Sequence, residues 1–266
     1  MKQYDKLGPY EQWLKLVESG QHWFDSPIGQ QLLAQQQPHL TAELNRCLGS
    51  YLLHYGPVSQ PLPAPAHIRR VVRMGPPRLS VDILAEESAW PIAPNALDAI
   101  VIQHGLDFSH DPHELLRQAA RSLRPGGQLI IVGLNPYSFW GVRQKIFSRS
   151  TRGARFWRSS RVADWLNLLG FALEKRQFGC YLPPLSSARW QERLAALESQ
   201  TGRMPWGGFY LLSARKLVAG MRPVQQRRRL RTATLLPFPV AQARKEKGED
   251  ALARVSIPTP PDEPSR

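Results

Sequence analysis

His110 and His113 stand three residues apart where a helix would begin, a spacing that could aim two imidazoles at one metal ion. No further ligand cluster accompanies them, so no metal site is expected. No Gly-x-Ser-x-Gly run occurs, and no serine, histidine and acid suggest a catalytic triad. The densest chemical signal lies at 139–161. Seven basic residues (Arg143, Lys145, Arg149, Arg152, Arg155, Arg158, Arg161) occur there with no acid, and Phe139, Trp140, Phe147, Phe156 and Trp157 are interleaved. Guanidinium groups beside aromatic faces suit an anionic partner that can stack, such as RNA or an acidic small molecule. The same stretch can equally be a cationic cover whose rings dock on the domain beneath. The run Arg227-Arg228-Arg229-Leu230-Arg231 would add a salt-sensitive attraction to polyanions.

The 266 residues carry a net charge of +14, spread unevenly. Residues 221–266 hold 10 basic and 5 acidic side chains with Pro258, Pro260, Pro261 and Pro264, and they lack sustained apolar periodicity. Such a segment cannot bury enough apolar surface to offset its chain entropy. A disordered, basic, Pro-rich tail is therefore expected over 219–266. Two cysteines, Cys47 and Cys180, exclude a disulfide scaffold and suggest a reducing compartment. The longest apolar runs, such as 129–134, fall far short of the roughly 20 residues that span a bilayer. No apolar signal segment follows Met1, so a soluble, cytoplasmic protein is expected.

The elements that would position these residues read clearly in places. Trp13, Leu14, Leu16 and Val17 share one side of an amphipathic segment, and Ser26-Pro27 is an N-cap with proline at the first helical position. Pro38 is expected to interrupt or restart that second helix. Residues 51–55, 67–74 and 81–84 are short candidate strands around the Pro-rich loop 57–65. Residues 97–103 and 129–132 are apolar enough to be buried on both faces, as parallel strands are. Between them Asp111 caps a helix with Pro112 in its first turn and Glu114 completing a capping box. Leu115, Leu116, Ala119, Ala120 and Leu123 form the apolar face of that helix, and Pro125-Gly126-Gly127 is the turn that ends it. Strand, helix, turn and strand in this order make a right-handed crossover in a parallel sheet. A further helix near 160–169, ended by Gly170, and strands at 171–178 and 209–216 would complete an α/β sheet.

The segments Trp90-Pro91-Ile92 with Leu97-Asp98-Ala99-Ile100-Val101, then Asp111-Pro112-His113-Glu114-Leu115-Leu116, then Ala120-Arg121-Ser122-Leu123-Arg124-Pro125-Gly126-Gly127 resemble one family. They match, in order and spacing, the class I S-adenosylmethionine-dependent methyltransferases with a type 11-like domain. The resemblance covers about 45 residues closely, and coarse element order extends it over about 50–216. It implies a Rossmann-like, mostly parallel sheet flanked by helices. The expected boundaries are an N-terminal helical cap at 1–48 and a methyltransferase-like domain at 49–218, with 139–161 as a basic aromatic insertion.

In that family the methyl donor lies across the carboxyl ends of the strands. The resemblance assigns the turn after the first strand to Tyr55, Gly56 and Pro57. One glycine stands there in place of the family's Gly-x-Gly-x-Gly, and the proline removes a backbone donor. The family's acid at the end of strand two has no counterpart in 72–77. Ala85-Glu86 replaces a Gly-Asp pair, so Glu86, with Glu87 beside it, would accept from the adenine amino group. Gln103 and His104, past the fourth strand, would line the crevice. Asn135, Tyr137 and Trp140 would lie near the acceptor. The implied activity is S-adenosylmethionine-dependent methyl transfer to an unidentified acceptor, for which a hydrophobic ring such as a quinone precursor is one candidate. The alternative is a catalytically degenerate member of the fold serving as an RNA-associated or other binding module.

Overall fold

A computed structural model of the protein describes residues 8–63, 66–77, 79–138, 153–181 and 206–218. Apolar runs at 52–55, 97–103 and 129–134 pair side by side as the centre of one seven-stranded sheet. In chain order the elements are α1 (Pro9–Asp25), α2 (Pro27–Leu44), β1 (Gly49–Tyr55), β2 (Ile68–Gly75), β3 (Ile83–Leu84) and β4 (Leu97–Gln103). They continue with α3 (Pro112–Ser122), β5 (Leu123–Leu134), α4 (Ser159–Leu168), β6 (Phe171–Gly179) and β7 (Phe209–Lys216). The sheet order is β3-β2-β1-β4-β5-β7-β6, and only β7 runs antiparallel to its neighbours.

Period-two alternation splits each central strand between two cores. Leu53, Ile100, Ile102, Leu129 and Ile131 face Leu115, Leu116 and Ala119 of α3 and Val162, Trp165 and Leu166 of α4. Leu52, Ala99, Val101, Ile130 and Val132 face Leu32, Leu33, Leu40 and Leu44 of α2. Each fully buried leucine contributes roughly 1.5–3 kcal/mol through water release. Both faces of β4 are filled, which is why it lacks polar alternation.

Ser26 does cap α2, accepting from Gly29 N at 3.2 Å. Pro38 does not break this helix, which runs on to Leu44. One lost backbone bond is outweighed by burial of Leu40 and Leu44 on the sheet. Asp111 caps α3 through His113 N and Glu114 N, both at 3.1 Å. Glu114 does not close the capping box. It pairs with Arg117 at 2.8 Å and accepts from Gln118 at 2.9 Å, while the Asp111 N–H goes to Glu87 Oε1 at 2.6 Å.

Pro125-Gly126-Gly127 lies within β5, in the register shift where Leu97 faces Leu123 but Ala99 faces Gln128. Asp98, at the start of β4, is structural. It accepts from Ser50 N at 2.7 Å and Tyr51 N at 2.9 Å, and it pairs with Arg124. Among the described residues no helix joins β1 to β2, β2 to β3 or β3 to β4. One side chain ties the β1–β2 and β2–β3 loops together instead: Arg73 Nη1 donates to Ser59 O and Ser80 O, each at 3.0 Å, and Nη2 to Val58 O.

Candidate functional site

Registry sets three chain turns level with one another. Tyr55 lies opposite Met74 in β2 and opposite Ile102 in β4, so Gly56, Gly75 and Gln103 leave the sheet together. Gly56 has φ +148°, and a Cβ there would sit 1.9 Å from Gln103 O, so only glycine lets the two turns meet. Tyr55 is buried with its ring 5.5 Å from that of Trp90. Burial, with the charge of Glu87, pushes its hydroxyl well above the usual range. The crevice between the turns is walled by Tyr55, Gly56 and Pro57, by Gly75 and Pro76, and by Gly105 and Phe108. Val17 of α1 and Leu79 also reach into it, and about 10 Å³ is left free, room for one water at most.

The side chains of Gln103 and His104 are taken up below this crevice. Gln103 Oε1 accepts from His54 Nε2 at 3.1 Å, and its amide donates to Gln36 Oε1 of α2 at 3.1 Å. The Gln36 amide donates to His104 Nε2 at 2.8 Å, which leaves His104 Nδ1–H to donate to Asp107 Oδ2 at 3.0 Å. His104 is fully buried at φ +58°, with the Phe24 ring 4.5 Å away. Burial raises the Asp107 carboxyl above its ordinary value and lowers His54 to about 3, with Arg73 adding to the second shift. What this turn presents to the crevice is Gly105.

Glu86 and Glu87 part company. Glu86 is exposed, its backbone bridged to Ala89. Glu87 is buried and accepts from Ser109 Oγ at 2.6 Å, Asp111 N at 2.6 Å and His110 N at 3.1 Å. Desolvation raises its carboxyl, opposed by those three donors. It thereby fixes the turn that leads into α3. Two hollows flank Trp13 of α1. One, of about 190 Å³, is walled by Tyr10, Glu86, Glu87, Ser88, His110 and Asp111. The other, of about 220 Å³, is walled by Gln12, Leu16, Ser109, His110, Gly153 and Arg155.

Asn135 is buried at the end of β5 and ties two segments together. Its Nδ2 donates to Gly207 O at 2.9 Å, its N–H to Gly208 O at 3.0 Å, and its Oδ1 accepts from Tyr137 N at 3.2 Å. Tyr137 is exposed, with the Arg158 guanidinium 4.7 Å above its ring. Trp140 lies outside the described residues, as do most of the basic stretch and 219–266. In the described part, Phe156 and Trp157 pack on the two cores, and Trp157 sits edge-on to Trp165 at 4.9 Å. Among the described residues no group of three or more His, Cys, Asp or Glu could hold a metal ion, and no helix is long and apolar enough to cross a membrane.

Sequence reasoning missed α1 as a wall of the site. The stripe containing Trp13 and Val17 was legible, but what it covers depends on a docking angle that no local pattern encodes. The hydrogen bonds to Glu87 left no signal either, since an acid beside an acid reads as a solvated loop.

Residues 63–131, from the β1–β2 loop into β5, match the family described as a methyltransferase domain. A SAM-dependent methyltransferase from Thermotoga maritima, described as a possible histamine N-methyltransferase, superposes with a TM-score of 0.52 at 16% identity. The match covers 79% of this chain and 100% of that one. A chain from the complex of the Haloferax volcanii Trm112 methyltransferase activator with a methyltransferase gives 0.50 at 16% identity, over 75% of this chain and 98% of that one. At these identities the likeness is one of fold. The uncharacterized protein YafS of Escherichia coli K12 is 31% identical over 153 residues; the match takes in 56% of this chain and spans 64% of that relative's length. The methyltransferase-domain match over 63–131, the strand order and these superpositions together show that the chain has the Rossmann-like fold of class I methyltransferases.

Proposed function

We propose that the protein binds S-adenosylmethionine at the carboxyl edge of β1, β2 and β4 and transfers its methyl group to an acceptor seated beside α1. The observation that carries this reading is the meeting of three turns, through Gly56, Gly75 and Gly105, at one crevice whose wall Tyr55, Pro57, Pro76 and Phe108 complete. The wall chemistry suits the donor. Glycines allow close approach to its methionine part, and Glu86, on the wall of the hollow beside Trp13, offers an exposed carboxylate that can accept from the adenine amine. Bound there, the donor would supply an electrophilic methyl on a positively charged sulfur. The chain's own part is to orient the acceptor and exclude water.

The space itself is held by Val17 and Leu79, so binding requires α1 to lift. Trp13, Val17 and Leu79, with Leu14 and Val81, form a small cluster apart from the two main cores. Lifting the start of α1 exposes that cluster, while Phe24 at the other end of the helix stays buried in the core shared with α2 and the sheet. No acid stands at the end of β2, where Gly75 leads into Pro76 and Pro77, and Asp82 further on accepts from Arg73 N, so the ribose hydroxyls are gripped by no carboxylate at that strand end and donor affinity is modest.

Adding S-adenosylhomocysteine should slow amide exchange at 56–59 and 105–108 and speed it in α1. Exchange unchanged at all three would contradict the reading and favour a fold kept without its donor. No acceptor is carried over from the Thermotoga neighbour. Histamine carries an ammonium group, and the larger hollow beside α1 carries the Arg155 guanidinium.

A further inference from the structure

We infer that the hollow of about 220 Å³ between α1 and the turn after β4 is the acceptor site, and that it takes a compact planar ring bearing a carboxylate. The word acceptor rests on the methyl-transfer reading; the anion site does not.

The charge of the hollow decides the class of ligand. Among the described residues Arg155 and His110 line it and no carboxylate does. Ser109 Oγ is committed to Glu87 Oε1 at 2.6 Å, so that hydroxyl donates away from an incoming ligand. Arg155 is exposed, and among the described residues it has no ion-pair partner. A guanidinium with a free planar fork is the group best matched to a carboxylate. The hollow on the other side of Trp13 has the opposite lining, with Glu86 and Asp111, so Trp13 divides an anion-seeking chamber from a cation-seeking one.

The anchor belongs to the core rather than to the helix that must move. The Arg155 N–H donates to Asp107 O at 2.9 Å, and its neighbours Ala154 and Phe156 pack against the core beneath α2. Lifting α1 therefore widens the hollow without displacing Arg155. From α1, Trp13 and Leu16 supply an apolar wall and Gln12 an amide. Trp13 is 4% exposed, and its buried indole N–H has no partner among the described residues. A flat ring against that wall with its carboxylate at Arg155 uses every surface the hollow offers. Its volume lies below the usual range for drug-sized ligands, roughly 300–1,000 Å³, which limits the occupant to one ring with small substituents.

The test titrates the full-length protein with benzoate, benzamide and benzylamine, followed by ligand-observed NMR. Benzoate should bind best, and Arg155→Met should weaken it by about tenfold or more, the loss of one charge-assisted pairing. Arg155→Lys should retain part of the affinity, and benzamide should not distinguish the variants. A wild-type circular dichroism spectrum and melting temperature for Arg155→Met show that the fold is intact. Absent benzoate binding, binding indifferent to Arg155→Met, or benzylamine binding tightest would each overturn the assignment. A parallel S-adenosylhomocysteine titration separates the two claims. Arg155-dependent benzoate binding without homocysteine-adduct binding leaves the anion site and removes the donor, and the reverse pattern removes the anion site alone.

Discussion

Single residues at the sheet's edge do structural work that a sequence motif would assign to ligand binding. Gly56 is the clearest case, because a Cβ would strike Gln103 O at 1.9 Å whether or not a donor is present. Gly56→Val should therefore cost about 3 kcal/mol or more of stability, seen as a lowered melting temperature before any ligand is added. A wild-type melting temperature would show that the two turns do not meet as described. Asp98→Ala should cost about 3 kcal/mol in urea unfolding, since the N–H groups of Ser50 and Tyr51 lose a charged acceptor. A loss below about 0.5 kcal/mol would mean that water replaces the carboxylate there.

His54 gives a pH signature. Its pKa is about 3 in the folded chain against an ordinary 6.5, so between those values the unfolded chain binds more protons and stability falls as pH falls. The raised carboxyls of Glu87 and Asp107 act in the opposite sense, so the informative quantity is a difference between two proteins. Wild type minus His54→Gln should slope by about 1.4 kcal/mol per pH unit at its steepest below pH 6.5. Parallel stability profiles would show that His54 is not buried neutral.

At the scale of elements, legibility followed locality. β4, α3 and β7 could be read because each carries its own signal: an apolar run, an Asp-Pro start with a 3.6-residue stripe, and a bounded aromatic-rich strand. The passage of α2 through Pro38 could not, because burial of Leu40 and Leu44 on distant strands outweighs the local rule. The missing helix between β1 and β2 was foreshadowed by the Pro-rich loop, but its replacement by Arg73 reaching three carbonyls is a tertiary fact. Trp157 read as a candidate ring-stacking residue and is instead packed on Trp165. The docking of α1 is the element-scale feature with a functional consequence. Val17→Ala with Leu79→Ala trims the two side chains that fill the crevice. Donor affinity in this variant should rise a few-fold, at a stability cost of about 3–5 kcal/mol from the two truncated side chains that leaves both main cores intact. Unaltered affinity would mean that α1 does not compete with the donor.

Across the whole molecule, one sheet with two filled faces supplies a rigid edge, and a helix from the N-terminal pair lies over that edge. Of the patches that the family resemblance groups, the 55–57 turn and the turn after β4 meet at the crevice, while Glu86 lies on the wall of a separate hollow beside Trp13. The sequence could not disclose that the space in the crevice is occupied by the chain's own Val17 and Leu79. The account stands on whether that space can be vacated. Calorimetric titration of S-adenosylhomocysteine into the wild-type protein and into the Val17→Ala/Leu79→Ala variant tests this most directly. One molecule should bind per chain, more tightly to the variant; an absence of binding heat in both proteins at high ligand concentration would contradict it.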